Sequence, residues 1–204
     1  MREPTLVEVA FVTTNPGKFR EAQAILGQRG VRVRWLRRSL HEPQSDDLAE
    51  VARSKANDVR GVRGYVLVED SGLFIPSLRG FPGVYSAHFL RIWGFPPILE
   101  LLRHRRRAAL FRSVAVLRRG KSSRTFVGEV EGTIARRPSG HGGFGYDPIF
   151  VPKGYRVTFA SLPGSVKNAI SHRSRALDQV GAFLSSRPSG PARARQRRRG
   201  PPPG

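Results

Sequence analysis

Two adjacent carboxylates and a hydroxyl precede a glycine in the stretch Val68-Glu69-Asp70-Ser71-Gly72. The apolar run 65–68 predicts a short buried strand that delivers these groups to its end, where the glycine lets the backbone turn away. Because neighbouring strand side chains point to opposite faces, Glu69 and Asp70 are not expected to act as a matched pair. The alternative interpretation is an exposed acidic turn.

A second candidate site follows the apolar run 6–12, which predicts a central strand. This strand leads into Thr13-Thr14-Asn15-Pro16-Gly17-Lys18, and apolar residues at helical spacing then continue to Gly27. At a junction of strand, turn and helix, unpaired amides and the positive helix end suit an anion, and Lys18 adds a mobile charge. An ordinary helix N-cap with a surface lysine is the alternative, and the pattern is not a Walker A loop.

The segment 138–148 is the most unusual local sequence, because four glycines alternate there with Phe144, Tyr146 and Asp147. Such a loop lets the backbone lie close to a flat ligand while rings stack on it and polar groups bind its edge. A low-complexity linker is the alternative. The apolar run that resumes at Ile149 favours an ordered loop.

Alternating strand and helix patterns predict the elements that position these groups. They are a strand at 31–36, a helix from Leu48 to Ala56 capped by Ser45, Asp46 or Asp47, a helix at 96–102, an antiparallel hairpin of 109–117 with 125–134, and one helix at 165–184. Glu42 lies in the loop after the second strand. Lys167, His172 and Arg173 lie near the start of the last helix.

Composition limits the class of protein. The 204 residues carry a net charge of +21 and no cysteine, so disulfides and thiolate metal sites are excluded. We expect one domain at 1–186 and a disordered tail at 187–204, rich in arginine, proline and glycine. With no membrane span or signal peptide in the sequence, we expect a cytoplasmic protein. The positive charge attracts nucleotides and nucleic acids alike.

Together these stretches resemble the Ham1/RdgB-type inosine triphosphate pyrophosphatases, over about residues 6 to 184. The motifs that carry the resemblance are Thr14-Asn15-Pro16-Gly17-Lys18, Glu69-Asp70-Ser71-Gly72-Leu73, Gly83-Val84-Tyr85-Ser86-Ala87, Gly142-Gly143-Phe144-Gly145-Tyr146-Asp147-Pro148 and Ile170-Ser171-His172-Arg173. Each motif is weak alone. Five in the family's order and spacing make chance agreement improbable.

The resemblance implies an elongated, two-lobed α/β fold with a mixed sheet flanked by helices, a central nucleotide cleft and a homodimer. It also implies Mg²⁺-dependent hydrolysis of ITP, dITP and XTP to the nucleoside monophosphate and pyrophosphate. By motif, Asp70 would be the catalytic base or a metal ligand. Glu42 matches the position of the family's second metal-binding acid more loosely, and the match of Lys55 to the family is looser still. The implied substrate-binding residues are Thr13, Thr14, Asn15, Pro16, Gly17, Lys18, Ser71, Phe144, Gly145, Tyr146, Asp147, Lys167, His172 and Arg173.

The sequence departs from the family pattern in three places. Glu69-Asp70 replaces the paired aspartates of bacterial members, although this form resembles archaeal members. Ser161 follows Phe159-Ala160 where a glutamate is common, and the acids that often precede the family's lysine are absent before Lys167, so we expect a supporting ion pair to be missing. We expect Asp70 and Ser71 to face the phosphates, with Glu69 behind them. Two other functions stay open, a Maf-like pyrophosphatase for pyrimidine nucleotides and a basic protein that binds nucleic acid, with the tail adding non-specific affinity.

Overall fold

A computed structural model describes residues 6–186, in which one mixed sheet of seven strands is flanked by helices. The strands are β1 (Val7–Val12), β2 (Val31–Leu36), β3 (Tyr65–Phe74), β4 (Pro82–Gly83), β5 (Ala108–Arg119), β6 (Ser122–Ile134) and β7 (Phe150–Pro152). The helices are α1 (Pro16–Gly27), α2 (Leu48–Asp58), α3 (Ser86–Trp93), α4 (Pro96–Leu101), α5 (Gly164–Ile170) and α6 (His172–Ser185). Across residues 6–186, every helix is too short or too polar to cross a membrane.

The sheet joins a parallel half to an antiparallel half. β1 pairs in parallel with β2 and β3, while β3, β5, β6 and β7 pair in antiparallel succession. Parallel neighbours need crossover connections, which α1 and α2 supply. The predicted mixed α/β fold is therefore confirmed, as are the hairpin, now β5–β6, and the helix capped by Asp47.

β3 connects the two halves and carries the acidic stretch. The strand was predicted to end near Val68, but it continues to Phe74 because β5 pairs with it along its whole length. On its other edge, β3 pairs with β1 only as far as Leu67, and its pairing with β4 begins at Leu73. Among the described strands, none pairs with residues 68–72 on that edge. The Ser71 amide instead donates to Asp70 Oδ1 at 3.0 Å.

The core is divided along the sheet. One cluster joins β1 and β2 to α1 and α6, a second lies under α2, and a third lies around the β5–β7 end and α4. Phe11, Val68 and Phe150, one from each cluster, are at most 1% exposed. Separate cores on either side of the gap in β3 agree with the predicted two lobes.

The single helix predicted at 165–184 is wrong. Two helices, α5 and α6, meet at Ser171, whose extended backbone breaks the helix and whose hydroxyl accepts a hydrogen bond from the Ser174 amide. This serine is thus the N-cap of α6, and it brings His172 and Arg173 into the first turn. The predicted tail at 187–204 lies outside the described residues.

Candidate active site

A polar cavity of about 210 Å³ opens beside the gap in β3. We call it the acidic cavity. Its charged and polar lining comes from the β1–α1 turn, the loop after β2, α2 and β3. The residues concerned are Thr13, Thr14, Asn15, Lys18, Arg38, Ser39, Glu42, Lys55, Glu69 and Asp70.

Lys55 joins the two candidate metal ligands of the acidic cavity. Its Nζ lies 2.5 Å from Glu42 Oε1 and 2.8 Å from Asp70 Oδ2. Burial disfavours the charged ammonium, but the two carboxylates outweigh it and raise the pKa of Lys55 above its ordinary value. Lys55 therefore stays charged at neutral pH. Glu42 is 69% exposed, so its carboxylate is the freer of the two.

The first turn of α1 is capped by its own sequence. Asn15 Oδ1 accepts from the Gly17 amide at 2.8 Å and the Lys18 amide at 3.1 Å. The prediction that these amides are unpaired is therefore wrong. Thr13 Oγ1 in turn accepts from the Asn15 amide at 3.1 Å, which fixes the turn. An anion here would meet the Lys18 ammonium and the hydroxyl of Thr14 before any free helix amide.

A second cavity, of about 400 Å³, lies next to the acidic cavity and is largely apolar. We call it the aromatic cavity. Its walls are Asn15, Lys18, Ser71, Ser86, Ala87, Leu90, Arg91, Phe111, Phe144, Gly145, Tyr146, Asp147, His172 and Arg173. The two cavities share Asn15, Lys18 and Ala87. A ligand with a flat apolar part and an anionic part would span both.

The aromatic cavity has a rigid frame. The His172 ring stacks on Phe111 with centroids 4.5 Å apart, and Tyr146 donates its hydroxyl hydrogen to the Ser86 carbonyl at 2.9 Å. The Phe144 ring packs against the backbone of Gly17, where a Cβ atom would come within 2.5 Å of the ring. Only glycine fits this close contact, so α1 and the glycine-rich loop are held together at the cavity.

A chain of buried ion pairs connects the walls of the two cavities, and we call it the buried charge chain. Lys167 contacts Asp147 at 2.5 Å and Glu21 at 2.7 Å. Glu21 contacts Arg173 at 2.6 Å, and Arg173 lies 3.3 Å from Glu69. The expectation that Lys167 lacks a supporting ion pair is therefore wrong. Glu21 and Asp147 supply the charge from α1 and the glycine-rich loop.

The side chains of the acidic stretch of β3 point to different sides from those predicted. Glu69 and Ser71 point to the same side, where Arg173 reaches both, at 3.3 Å and 3.1 Å. Asp70 points to the other side, toward Lys55. The strand persists through all three residues, so the two-residue alternation holds. Lys18 lies over the junction, 3.0 Å from Glu69 Oε2 and 3.8 Å from Asp70 Oδ1.

Burial and charge set the protonation states in the buried charge chain. Burial opposes the ionised form of Glu69, but Arg173, Lys18 and the Ser113 hydroxyl outweigh it and hold its pKa far below the ordinary value. Glu21 follows the same pattern beside Arg173 and Lys167. Burial, aided by Arg173, moves the pKa of His172 well below its ordinary value, so its imidazole is neutral. Within residues 6–186, His172 Nδ1 has no hydrogen-bond partner.

The carboxylates of the acidic cavity supply only part of the ligand set of a metal ion. Residues 6–186 contain no group of three or more acidic, histidine or cysteine side chains that could hold one. Glu42 and Asp70 offer two hard oxygen donors, which suits a Mg²⁺ ion that takes its remaining ligands from phosphates and water. The residues fit a metal that is shared with a substrate.

Several residues of the site escaped the sequence analysis. Glu21, one turn after Lys18, has the i, i+3 spacing of a shared helix face, but its partner Lys167 is 146 residues away in sequence. Ser113 donates to Glu69 Oε1 at 2.6 Å, and Phe111 stacks on His172. Both lie on β5 on the same face of the sheet as Glu69 and Ser71, a signal that becomes usable once the strand pairing is known.

Comparison with known proteins gives consistent matches. The sequence profile of the Ham1 family matches residues 9–183. The "dITP/XTP pyrophosphatase" of Thermococcus kodakarensis is 45% identical over 87% of this chain and 97% of its own length. The "dITP/XTP pyrophosphatase" of Pyrobaculum aerophilum is 42% identical over 89% and 98%. A solved HAM1 protein from Coxiella burnetii aligns with a TM-score of 0.76 at 31% identity, over 89% of this chain and all of that one.

Proposed function

Because the chain belongs to the Ham1 family, we propose that it hydrolyses non-standard purine nucleoside triphosphates, dITP, ITP and XTP, to the nucleoside monophosphate and pyrophosphate. It is a nucleoside triphosphate pyrophosphatase. The observation that carries the substrate assignment is the pair of adjoining cavities, one aromatic and one acidic, which meet at Lys18. When the purine base of a nucleotide occupies the aromatic cavity, its phosphates occupy the acidic cavity.

The chain's own residues account for the binding of the substrate. Lys18 supplies a positive charge for the phosphates, with Thr13, Thr14 and Asn15 beside it. We assign Phe144, Gly145 and Tyr146 to the base and Ser71 to the junction of base and phosphates, because all four line the aromatic cavity. Asp147 belongs to the wall of the aromatic cavity, and Lys167 supports it from behind through ion pairs with Asp147 and Glu21.

For the reaction, a water oxygen forms a bond to the α phosphorus as the bond from that phosphorus to the bridging oxygen breaks. Pyrophosphate leaves with the bridging oxygen, and the proton of the water passes to a base. Asp70 is the carboxylate we assign to this centre, as metal ligand and candidate base. A Mg²⁺ ion held by Asp70 and Glu42, when bound, would neutralise charge on the phosphates.

Selection of the base follows from the donors of the aromatic cavity. Hypoxanthine and xanthine carry a carbonyl at purine position 6, where adenine carries an amino group. Arg173 is always charged and can only donate, and its guanidinium is fixed by Glu21 and Ser71. The carbonyl pairs with such donors, whereas the amino group would leave them unpaired, which a buried site penalises strongly.

A substrate panel tests the proposal. Pyrophosphate release is measured for dITP, ITP, XTP, ATP, GTP and the pyrimidine triphosphates, with and without Mg²⁺. We expect dITP and XTP to exceed ATP in kcat/KM by at least about a hundredfold, and activity to need the metal. Equal kcat/KM for ITP and ATP would refute the base-selection account. Preference for pyrimidine nucleotides would favour the Maf-like function.

The finer parts of the proposal concern assembly, location and the basic tail. We expect a homodimer that acts on the cytoplasmic nucleotide pool. The molecular mass in solution, measured by light scattering, would test the dimer. Steeply salt-dependent binding of RNA or DNA that survives truncation after Ser186 would favour a nucleic-acid-binding protein instead. We expect the truncated protein to keep full nucleotide hydrolysis.

A further inference from the structure

Lys55 occupies the space between the two carboxylates of the acidic cavity. Its ammonium contacts Glu42 Oε1 at 2.5 Å and Asp70 Oδ2 at 2.8 Å, and its side chain is 10% exposed. The backbone of α2 holds it there, since Ala52 and Ala56, which flank Lys55 in the helix, are fully buried. A cation bound by both carboxylates would have to take the place of this ammonium.

The other oxygen of Asp70 and the carboxylate of Glu69 are also engaged. Asp70 Oδ1 accepts from the Ser71 amide at 3.0 Å and lies 3.8 Å from Lys18 Nζ. Glu69 is fully buried between Lys18 and Arg173. The acidic residues of this cavity are thus already matched by cations. Such a cavity has little net negative charge with which to attract a free divalent ion.

A nucleoside triphosphate changes this balance. Its phosphates bring several negative charges, supply oxygen ligands of the kind that Mg²⁺ prefers, and offer Lys55 another anionic partner. Metal and substrate together can therefore displace the ammonium from the carboxylates, which the metal alone does poorly.

We propose, on the basis of the function proposed above, that Lys55 holds the position of the divalent cation in the nucleotide-free protein. Lys55 thereby makes metal binding depend on the nucleotide. Glu42 and Asp70 bind the metal tightly only when it arrives with a nucleoside triphosphate. Lys55 is in this respect a positioning residue for the metal, and its effect is separable from catalysis.

Binding of Mn²⁺ to the full-length protein, followed by loss of the free-ion electron paramagnetic resonance signal, tests the proposal. We expect weak binding without nucleotide and at least about tenfold tighter binding by the protein when an α,β-imido analogue of dITP is present, after subtraction of the Mn²⁺ bound by the analogue alone. In Lys55→Met without nucleotide, Mn²⁺ affinity should rise by at least about tenfold, because a full charge is removed from beside both carboxylates. Lys55→Gln, which keeps a polar side chain, should show the same increase.

Two control variants locate the effect. Adding Asp70→Asn to Lys55→Met should abolish the increase. Lys153→Met frees Glu131 from an exposed pair at 2.7 Å and should leave Mn²⁺ affinity unchanged. Circular dichroism establishes that each variant is folded.

Tight Mn²⁺ binding by the wild type without nucleotide would overturn the proposal, as would unchanged affinity in folded Lys55→Met and Lys55→Gln. These outcomes differ from failure of the proposed function. That failure would appear as absent hydrolysis across the substrate panel, whatever the Mn²⁺ measurements gave.

Discussion

The aromatic and acidic cavities adjoin, yet their charged groups are held in opposite ways. Behind the aromatic cavity, Glu21 and Arg173 belong to a buried chain in which each charge already has its partner. In the acidic cavity, Glu42 is largely exposed, and Lys55 bridges it to Asp70. Charged groups with fixed partners suit the aromatic cavity, where one purine base must be distinguished from similar bases. Charged groups that can exchange partners suit the acidic cavity, where phosphates and a metal ion arrive and leave together.

The largest expected effect is on the buried charge chain. Glu21→Ala leaves Lys167 and Arg173 without the carboxylate that joins them, so the free energy of unfolding should fall by about 3–5 kcal/mol. Urea unfolding measures this. Glu131→Ala, which removes the exposed partner of Lys153, is the matched control and should unfold like the wild type. Equal unfolding free energies for Glu21→Ala and Glu131→Ala would contradict the view that the buried charge chain is fixed and stabilising.

In the acidic cavity, Asp70→Asn should lower kcat for dITP by at least about a hundredfold, the scale of losing a general base. The unfolding free energy should change less than in Glu21→Ala, because Asp70 is partly exposed and its amide replacement fills the same space. Pyrophosphate release measures the rate. Asp178→Asn, at an exposed pair with Arg29, serves as control. Near-wild-type turnover of folded Asp70→Asn would remove Asp70 from the reaction.

Glu69→Gln should separate the contribution of the acidic stretch to stability from its contribution to turnover. The amide keeps an acceptor for the Ser113 hydroxyl but leaves Lys18 and Arg173 without its negative charge. We expect a smaller loss of kcat than in Asp70→Asn and a larger loss of stability. Measuring both quantities on both variants makes the test. The reverse ranking in either quantity would show that the division of the acidic stretch is misassigned.

The smallest expected effect is on the pH dependence of stability. Because the folded-state pKa of Glu69 is lowered, its contribution is complete above the ordinary value of 4.5 and is lost as pH falls from there through the lowered pKa. Unfolding midpoints between about pH 7 and about pH 3 should fall on acidification. In Glu69→Gln this fall should be shallower. Parallel curves for the two proteins would mean that Glu69 adds nothing to the acid dependence.

Local patterns predicted much of the fold and several of the residues that line the two cavities. The β1–α1 junction, the β5–β6 hairpin and the Asp47 cap follow from periodicity and turn chemistry, which act over a few residues. The end of β3 was missed because pairing with β5 keeps polar residues in the sheet, a tertiary effect. The break at Ser171 was missed although serine favours an N-cap, because the flanking residues continue a helical pattern.

The buried partners were the part that sequence could not supply. A glutamate on an amphipathic helix, such as Glu21, resembles any solvated residue until its distant cation is known. Similarly, the side that Ser71 shares with Glu69 follows from strand alternation only once the strand is known to pass through both. The motifs therefore located the cleft, and the long-range contacts decided which groups face each cavity.

The gap on one edge of β3 has a mechanical consequence. Between residues 68 and 72, β3 pairs with β5 alone among the described strands, so this is where the fewest strands lie side by side in the sheet. A sheet bends most easily where the fewest strands lie side by side, and Glu69 and Asp70 belong to that section, so they would move least if its two ends moved relative to each other. The groups at either side of the cleft could then travel toward a substrate, with the carboxylates serving as the stationary reference.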